Sequence, residues 1–204
     1  MTEKMTPYRF YTEFCQIKTP EVIQRLVDAT EIRHIRKGEP LISAGETQTE
    51  ICFLIEGLLR GFFMDTRGKD VTDCFGFQCG TPAIAFCHLN GGTVSPMTIE
   101  MLEDSLLFCI PISLVLELQE RCLEVTQFYN RALITALNEH WRMQQVLHQY
   151  TAPQRYQWFL EAYPGLADRV CNKQIASFLG MSPETLSRLR RTMRKQQEHI
   201  KETS

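Results

Sequence analysis

Short apolar runs separated by turn residues fill the chain between positions 51 and 110: ICFLIEG at 51–57, LLRGFFM at 58–64, VTDCFGF at 71–77, MTIEML at 97–102 and SLLFCI at 105–110. Runs of this length, rich in β-branched and aromatic residues, predict the strands of an antiparallel sandwich or barrel. Nine of the eleven glycines fall between 38 and 92, which marks the same stretch as turn-rich. TRGKD at 66–70 is a candidate hairpin tip, with Gly68 free to take positive φ. PAIAFCHL at 82–89 is the one piece of this region predicted as a short helix, and Phe62, Phe63, Phe75, Phe77 and Phe86 are predicted sandwich core.

Beyond Pro111 the pattern changes to helical spacing. Val125, Phe128, Tyr129, Ala132, Leu133, Ala136, Leu137, Trp141, Gln144 and Leu147 recur at steps of three and four, predicting one helix of about 25 residues, longer than the usual globular helix. Such a heptad-like stripe ordinarily seeks a second helix. The expectation is a homodimer seam built from Phe128, Tyr129, Ala132, Leu133, Ala136, Leu137, Trp141, Gln144 and Leu147. Pro153 is then expected to break the helix, making TAP at 151–153 a hinge into a small helical domain.

The segment NKQIASFLGMSPETLSRLRR, 172–191, has helix-turn-helix spacing. Ala176 is small where two helices must approach, and Gly180 suits the left-handed end of the first helix. Ile175, Leu179, Met181, Leu186 and Leu189 form the shared apolar face. Ser182 is a favourable N-cap, Pro183 fits the first helical position, and Glu184 complements the positive end of the helix dipole. Glu184, Ser187 and Arg188 then share the outward face at i, i+3, i+4 and are the candidate base-contacting residues. An arginine can donate two hydrogen bonds to guanine, and a glutamate can accept one from the cytosine amino group. Arg190, Arg191, Arg194 and Lys195 are the candidate phosphate contacts.

Composition sharpens this picture in three ways. With 204 residues and 44% hydrophobic side chains, the chain can bury a substantial core, which excludes disorder. No stretch approaches the roughly 20 apolar residues of a membrane helix, and Met1 to Ile17 is interrupted by charge, so no membrane partner and a cytoplasmic location are expected. The eight cysteines include no CxxC pair and are expected to be reduced, with Cys74, Cys79 and Cys87 buried as small core residues. Charge is uneven: residues 1–169 carry 15 basic against 21 acidic side chains (−6), whereas 170–204 carry 7 against 3 (+4). An acidic body with a basic end suits a protein that meets a polyanion with one part only.

Taken together, the glycine-rich strands, long helix and C-terminal helix-turn-helix resemble the CRP/FNR family of bacterial transcription regulators, over roughly residues 10–195. KGEPLISAGETQTEICFLIEGLLR at 37–60 is similar to the family's opening strands, and ETLSR at 184–188 to its recognition-helix signature. The resemblance implies an α+β fold with three parts. A β-helix or jelly-roll sensory domain of cyclic-nucleotide-binding type spans 1–111, a helical connector and dimerisation helix 112–150, and a helix-turn-helix domain 151–204, winged-helix-like with a short or absent wing. It also implies base contacts by Glu184, Ser187 and Arg188, a homodimer on palindromic double-stranded DNA, an effector of unknown identity, and RNA polymerase as a further candidate partner. Pro183 departs from the family where several members carry another DNA-contacting side chain.

Cyclic AMP is not the expected effector, and no cofactor is expected. From Asp70 through Glu120 the only basic side chain is His88, so a cyclic phosphate would lack its charge-assisted partner; Gly91 and Gly92 offer backbone N–H groups alone. Cys74, Cys79, Cys87 and His88 match no iron–sulfur spacing, although a redox- or metal-responsive version of the regulator remains an alternative. A cupin-type metalloenzyme is the remaining alternative for the sandwich. The five histidines form no HxH pair, so no metal site and no enzymatic role are expected.

Overall fold

The computed structural model describes residues 4–84 and 94–202, with side chains through Arg194. The chain divides into two compact units, Met1–Phe63 with Asp73–Ala136, and Met64–Thr72 with Leu137–Ser204.

Among the described residues eight strands, largely within the first unit, form two four-stranded antiparallel sheets. The first sheet is ordered β1 (Glu31–Ile35), β8 (Ser105–Pro111), β3 (Glu50–Glu56), β6 (Thr81–Ala83). The second is ordered β2 (Pro40–Ile42), β7 (Thr98–Met101), β4 (Leu59–Met64), β5 (Asp70–Gly76). Alternation along β3 and β8 splits the core in two. Ile51, Phe53, Ile55, Leu106, Phe108 and Ile110 face the helices, while Cys52, Leu54, Leu107 and Cys109 join Leu59, Ile99 and Met101 in a second cluster. At the β3–β4 turn Gly57 has φ of +113°, and a Cβ there would lie 2.2 Å from Ser105 Oγ, so neither the backbone nor the space admits a side chain.

The helix-facing cluster explains the N-terminus. Helix α1 (Pro7–Arg9), a π-helical turn at Phe10–Phe14 and helix α2 (Pro20–Asp28) bring Phe10 onto the sheet, 5.1 Å from Phe53 and 5.7 Å from Phe108 between ring centres. After β8, helix α3 (Ile112–Arg121) leads into helix α4 (Leu123–Gln149). Glu124, in the first turn of α4, accepts the Lys18 and Thr19 N–H groups, which holds its carboxyl below the usual range.

Four sequence expectations need correction here. Pro82 and Ala83 of the predicted 82–89 helix lie in strand β6, where they pair with Phe53 and Cys52; residues 85–89 lie outside the described residues. Phe75 is buried, but Phe63 is 39% exposed near the end of β4; Phe86 lies outside the described residues. Cys74 and Cys79 are exposed, and Cys87 is not described. Cys52 and Cys109 are bonded as a disulfide, because the antiparallel register of β3 and β8 sets them opposite one another across 57 residues of chain. Spacing along a sequence carries no such information.

The second unit takes its fold from the end of α4 and four further helices: α5 (Ala152–Ala162), α6 (Leu166–Arg169), α7 (Asn172–Phe178) and α8 (Pro183–Glu202). The chain leaves α4 at Gln149 and Thr151 is the N-cap of α5, so the long helix breaks at TAP as expected, with Pro153 in the first turn of the helix that follows. A missing N–H has no intrahelical partner to lose there. Phe159 and Phe178 pack with Tyr163 in an aromatic cluster, and Leu166, Ile175, Leu179 and Leu186 of the same unit are fully buried. Phe159 itself is 0% exposed. Phe159→Ala is expected to destabilise this unit by about 3–5 kcal/mol, the usual cost of emptying an aromatic site. Urea denaturation followed by tryptophan fluorescence, with Trp158 beside the cluster, measures it.

Candidate nucleic-acid interface

Helices α7 and α8 are joined by a tight turn that the local sequence dictates. Gly180 takes φ of +60°, and a Cβ there would meet Leu147 at 3.1 Å and Arg155 at 3.2 Å. Arg155 completes the turn from α5 by donating to the carbonyl oxygens of Leu179 and Gly180 at 2.8 and 3.2 Å. These are carbonyls that a helix end leaves without internal partners. Ser182 then caps α8, its Oγ accepting the Thr185 N–H at 3.2 Å, with Pro183 as the first helical residue.

This framework fixes which side chains α8 presents. Leu186 is fully buried and Leu189 half-buried, so the opposite face, Glu184, Ser187 and Arg188, is exposed. Hydrogen bonds from Ser182 and its own backbone hold the Glu184 carboxyl below the usual range, helped by the charges of Arg188 and Lys69. Glu184 is therefore an anion and an acceptor at neutral pH. An acceptor and a guanidinium donor stand one turn apart on one open face.

The candidate phosphate contacts separate into groups. Arg191 and Arg194 are exposed. Arg190 is half-buried and donates to Asn172 Oδ1 at the start of α7, so it ties the two helices together. The Lys195 side chain lies outside those described. Among the described residues no strand follows α8.

Sequence reasoning missed contacts that only folding brings together. The Thr72 N–H donates to Ser177 Oγ at 3.0 Å, the Ser177 hydroxyl reaches the Asp70 carbonyl at 3.3 Å, and Lys173 pairs with Asp70 at 3.4 Å. The segment 64–72 thereby belongs to the helical unit, although it is the tip of a β-hairpin. Arg155 was equally invisible, since nothing in TAPQRYQ announces that its guanidinium reaches a turn 24 residues away.

Helix α4 carries two apolar stripes where the periodicity alone predicts one. Phe128, Tyr129 and Leu133 pack against the core of their own unit, with the Phe128 ring 6.0 Å from that of Phe53. Ala132 and Ala136 are half-buried along the same side, as are Gln144 and Leu147 further on. Ile134, Leu137 and Trp141 are 59%, 56% and 62% exposed and recur at i, i+3, i+7. That spacing makes a continuous apolar seam on the outer side of the helix.

In the β-unit Arg60 on β4 is a buried charge, 3% exposed, donating to Glu100 across the strand pair at 3.1 Å and lying over the Phe62 ring. It falls outside the stretch 70–120 that lacks lysine and arginine, and a carboxylate already faces it. A small apolar cavity of about 50 Å³ lies between the sheet and the helices, lined by Tyr11, Cys15, Phe53, Phe128 and Tyr129 among others. His88, Gly91 and Gly92 lie outside the described residues. Among the described residues no group of three metal-ligating side chains occurs, and no helix is long and apolar enough to cross a membrane.

Two antiparallel sheets, one long helix and a helix-turn-helix, in that order, are the fold of the CRP/FNR transcription regulators. Solved structures bear this out across most of the chain. A protein assigned to the Crp/Fnr family of transcriptional regulators, from Eubacterium rectale, superposes with a TM-score of 0.74 at 18% identity, covering 92% of this chain and 88% of its own. The global regulator CLP of Xanthomonas campestris, a c-di-GMP-responsive protein, gives 0.71 at 14% identity over 86% of this chain and 92% of its own. FixK2 of Bradyrhizobium japonicum gives 0.70 at 15% identity over 82% and 85%. No family model matches the sequence, and no curated protein matches it. At these identities the likeness is one of fold.

Proposed function

We propose that this chain is a DNA-binding transcription regulator of CRP/FNR type, acting as a homodimer on a palindromic site. The observation that carries the reading is the exposed Glu184, Ser187, Arg188 face on a capped helix following a tight helix-turn-helix turn. The shared fold and the +4 charge of residues 170–204 support it independently. Glu184 and Arg188 read base edges, while Arg191, Arg194 and Lys195 meet phosphates. Arg190 acts first as a brace between α7 and α8 through Asn172. The seam that pairs two copies is Ile134, Leu137 and Trp141, because Phe128, Tyr129 and Leu133 are engaged by their own unit.

The effector of this regulator is not a cyclic nucleotide. That reading is supported by the absence of lysine and arginine from residues 70–120 and by the carboxylate that already faces Arg60. Gene control from a reading helix in the major groove needs neither a metal nor a covalent step.

Selection from random duplexes tests this. A symmetric site with half-sites about one helical turn apart is expected. If three phosphate contacts form per subunit, affinity is expected to fall about 10³-fold between 50 and 200 mM salt. Recovery of no symmetric sequence, or binding indifferent to salt, overturns the proposal.

A further inference from the structure

Cys52 and Cys109 face one another across β3 and β8, bonded, in the core cluster that contains Leu54, Leu59, Ile99, Met101 and Leu107. Cys52 is 2% exposed and Cys109 0%. A sulfur pair so buried is normally closed to small reactants, yet Cys52 also lines a separate, polar cavity of about 200 Å³ together with Arg33, Gln48 and Glu50. Gln48 is itself 8% exposed; its Nε2 donates to the Ala83 carbonyl at 2.9 Å, while its buried Oε1 has no hydrogen-bond partner among the described residues. Arg33, held by Glu31 and Glu50 at 2.6 and 3.0 Å, places a cation on the same wall. A polar cavity lined by one member of a facing cysteine pair, and lined also by a residue whose buried acceptor has no donor, is the arrangement of a reaction site and not of a sealed crosslink.

We propose that Cys52 and Cys109 are a reversible dithiol–disulfide couple, closed by a small hydroperoxide that enters through this cavity. Gln48 Oε1 accepts the hydrogen bond of a peroxide O–H group. The Cys52 thiolate attacks the other peroxide oxygen, the O–O bond breaks, Cys52 becomes a sulfenic acid, and the departing hydroxide takes up the thiol's proton to leave as water. Cys109, which does not line the cavity, is the resolving residue: its sulfur attacks that of Cys52, the S–O bond breaks and a second water leaves. Two thiols and one hydrogen peroxide thus give one disulfide and two waters. A small thiol reverses the step by exchange. The inference does not depend on DNA binding.

The test uses the full chain, reduced, desalted without oxygen and treated with one equivalent of hydrogen peroxide. Alkylation in denaturant and peptide mass mapping then read every cysteine. The expected product is the chain less two hydrogens, with a linked Cys52–Cys109 peptide formed before Cys74, Cys79 or Cys171 is oxidised. Cys109→Ser is expected to leave a Cys52 sulfenic acid that dimedone labels. Gln48→Leu is expected to slow closure roughly fivefold, the rate equivalent of one hydrogen bond. Oxidation of the exposed cysteines ahead of the pair overturns the proposal. So does a disulfide that resists reductant until the chain is unfolded, since that is a structural crosslink. If either variant fails to fold, the linked peptide in the unaltered chain still decides.

Discussion

Arg188→Ala is expected to abolish discrimination between the selected palindrome and a scrambled duplex. A bidentate arginine–guanine contact contributes about 1–3 kcal/mol of discrimination against a wrong base. Two half-sites double it, so the specific complex weakens by about 2–6 kcal/mol, roughly 30-fold to more than 10⁴-fold, with little change on scrambled DNA. The structure makes this a clean substitution. Arg188 is exposed and its backbone carbonyl accepts the Thr192 hydroxyl, a bond that alanine retains. Arg194→Ala is the control: removing a cation that meets phosphate weakens binding to every duplex alike and reduces the salt slope by about 0.9 for each phosphate no longer neutralised. Fluorescence anisotropy across a salt series separates the two. Equal losses for Arg188→Ala on both duplexes would make Arg188 a phosphate-binding residue and leave the recognition face without its reader.

How far the sequence alone reached depended on whether the determining interaction was local. The helix-turn-helix was legible because each of its devices acts within a few residues: the Ser182 cap on Thr185, the left-handed Gly180, the alternation of Leu186 with Ser187 and Arg188. Five strands were legible for the same reason, since an apolar run bounded by turn-forming residues carries its own signal. Strands β1, β2 and β6 were not. EIRHI alternates weakly and PLI and TPA are three residues long, so pairing with β8, β7 and β3 defines them. The disulfide, the Arg60–Glu100 pair and the Arg155 brace also arise from register or tertiary approach.

The long helix shows the intermediate case. Its periodicity was plain, but a stripe of apolar residues at steps of three and four does not say what covers it. Two overlapping stripes share α4, and they are told apart only by the N-terminal aromatics. Phe14 and Phe53 pack on the side of Phe128, at 6.2 and 6.0 Å between ring centres, so that side is already partly covered within one copy. Periodicity identifies both stripes as apolar, and only the packing of one of them frees the other for a partner.

That separation gives the second large effect. Leu137→Glu is expected to convert the proposed dimer to a monomer and to reduce affinity for the proposed palindrome by about 10²–10⁴, the avidity that linking two half-site contacts confers. The substituted side chain is 56% exposed in one copy, so the monomer should keep its fold, as exposed substitutions usually change stability by no more than about 0.5 kcal/mol. Phe128→Ala is the opposite case. It removes a ring packed on Phe53 and should lower stability while leaving the dimer intact. Sedimentation velocity reads the assembly and circular dichroism the fold. A Leu137→Glu chain that remains dimeric would place the seam elsewhere. If Phe128→Ala alone dissociated the copies, the inner stripe would also be interface, and its packing on Phe53 would serve to orient it. The two substitutions sit nine residues apart on one helix, so differences in α4 helicity cannot account for opposite outcomes; the face each residue occupies can.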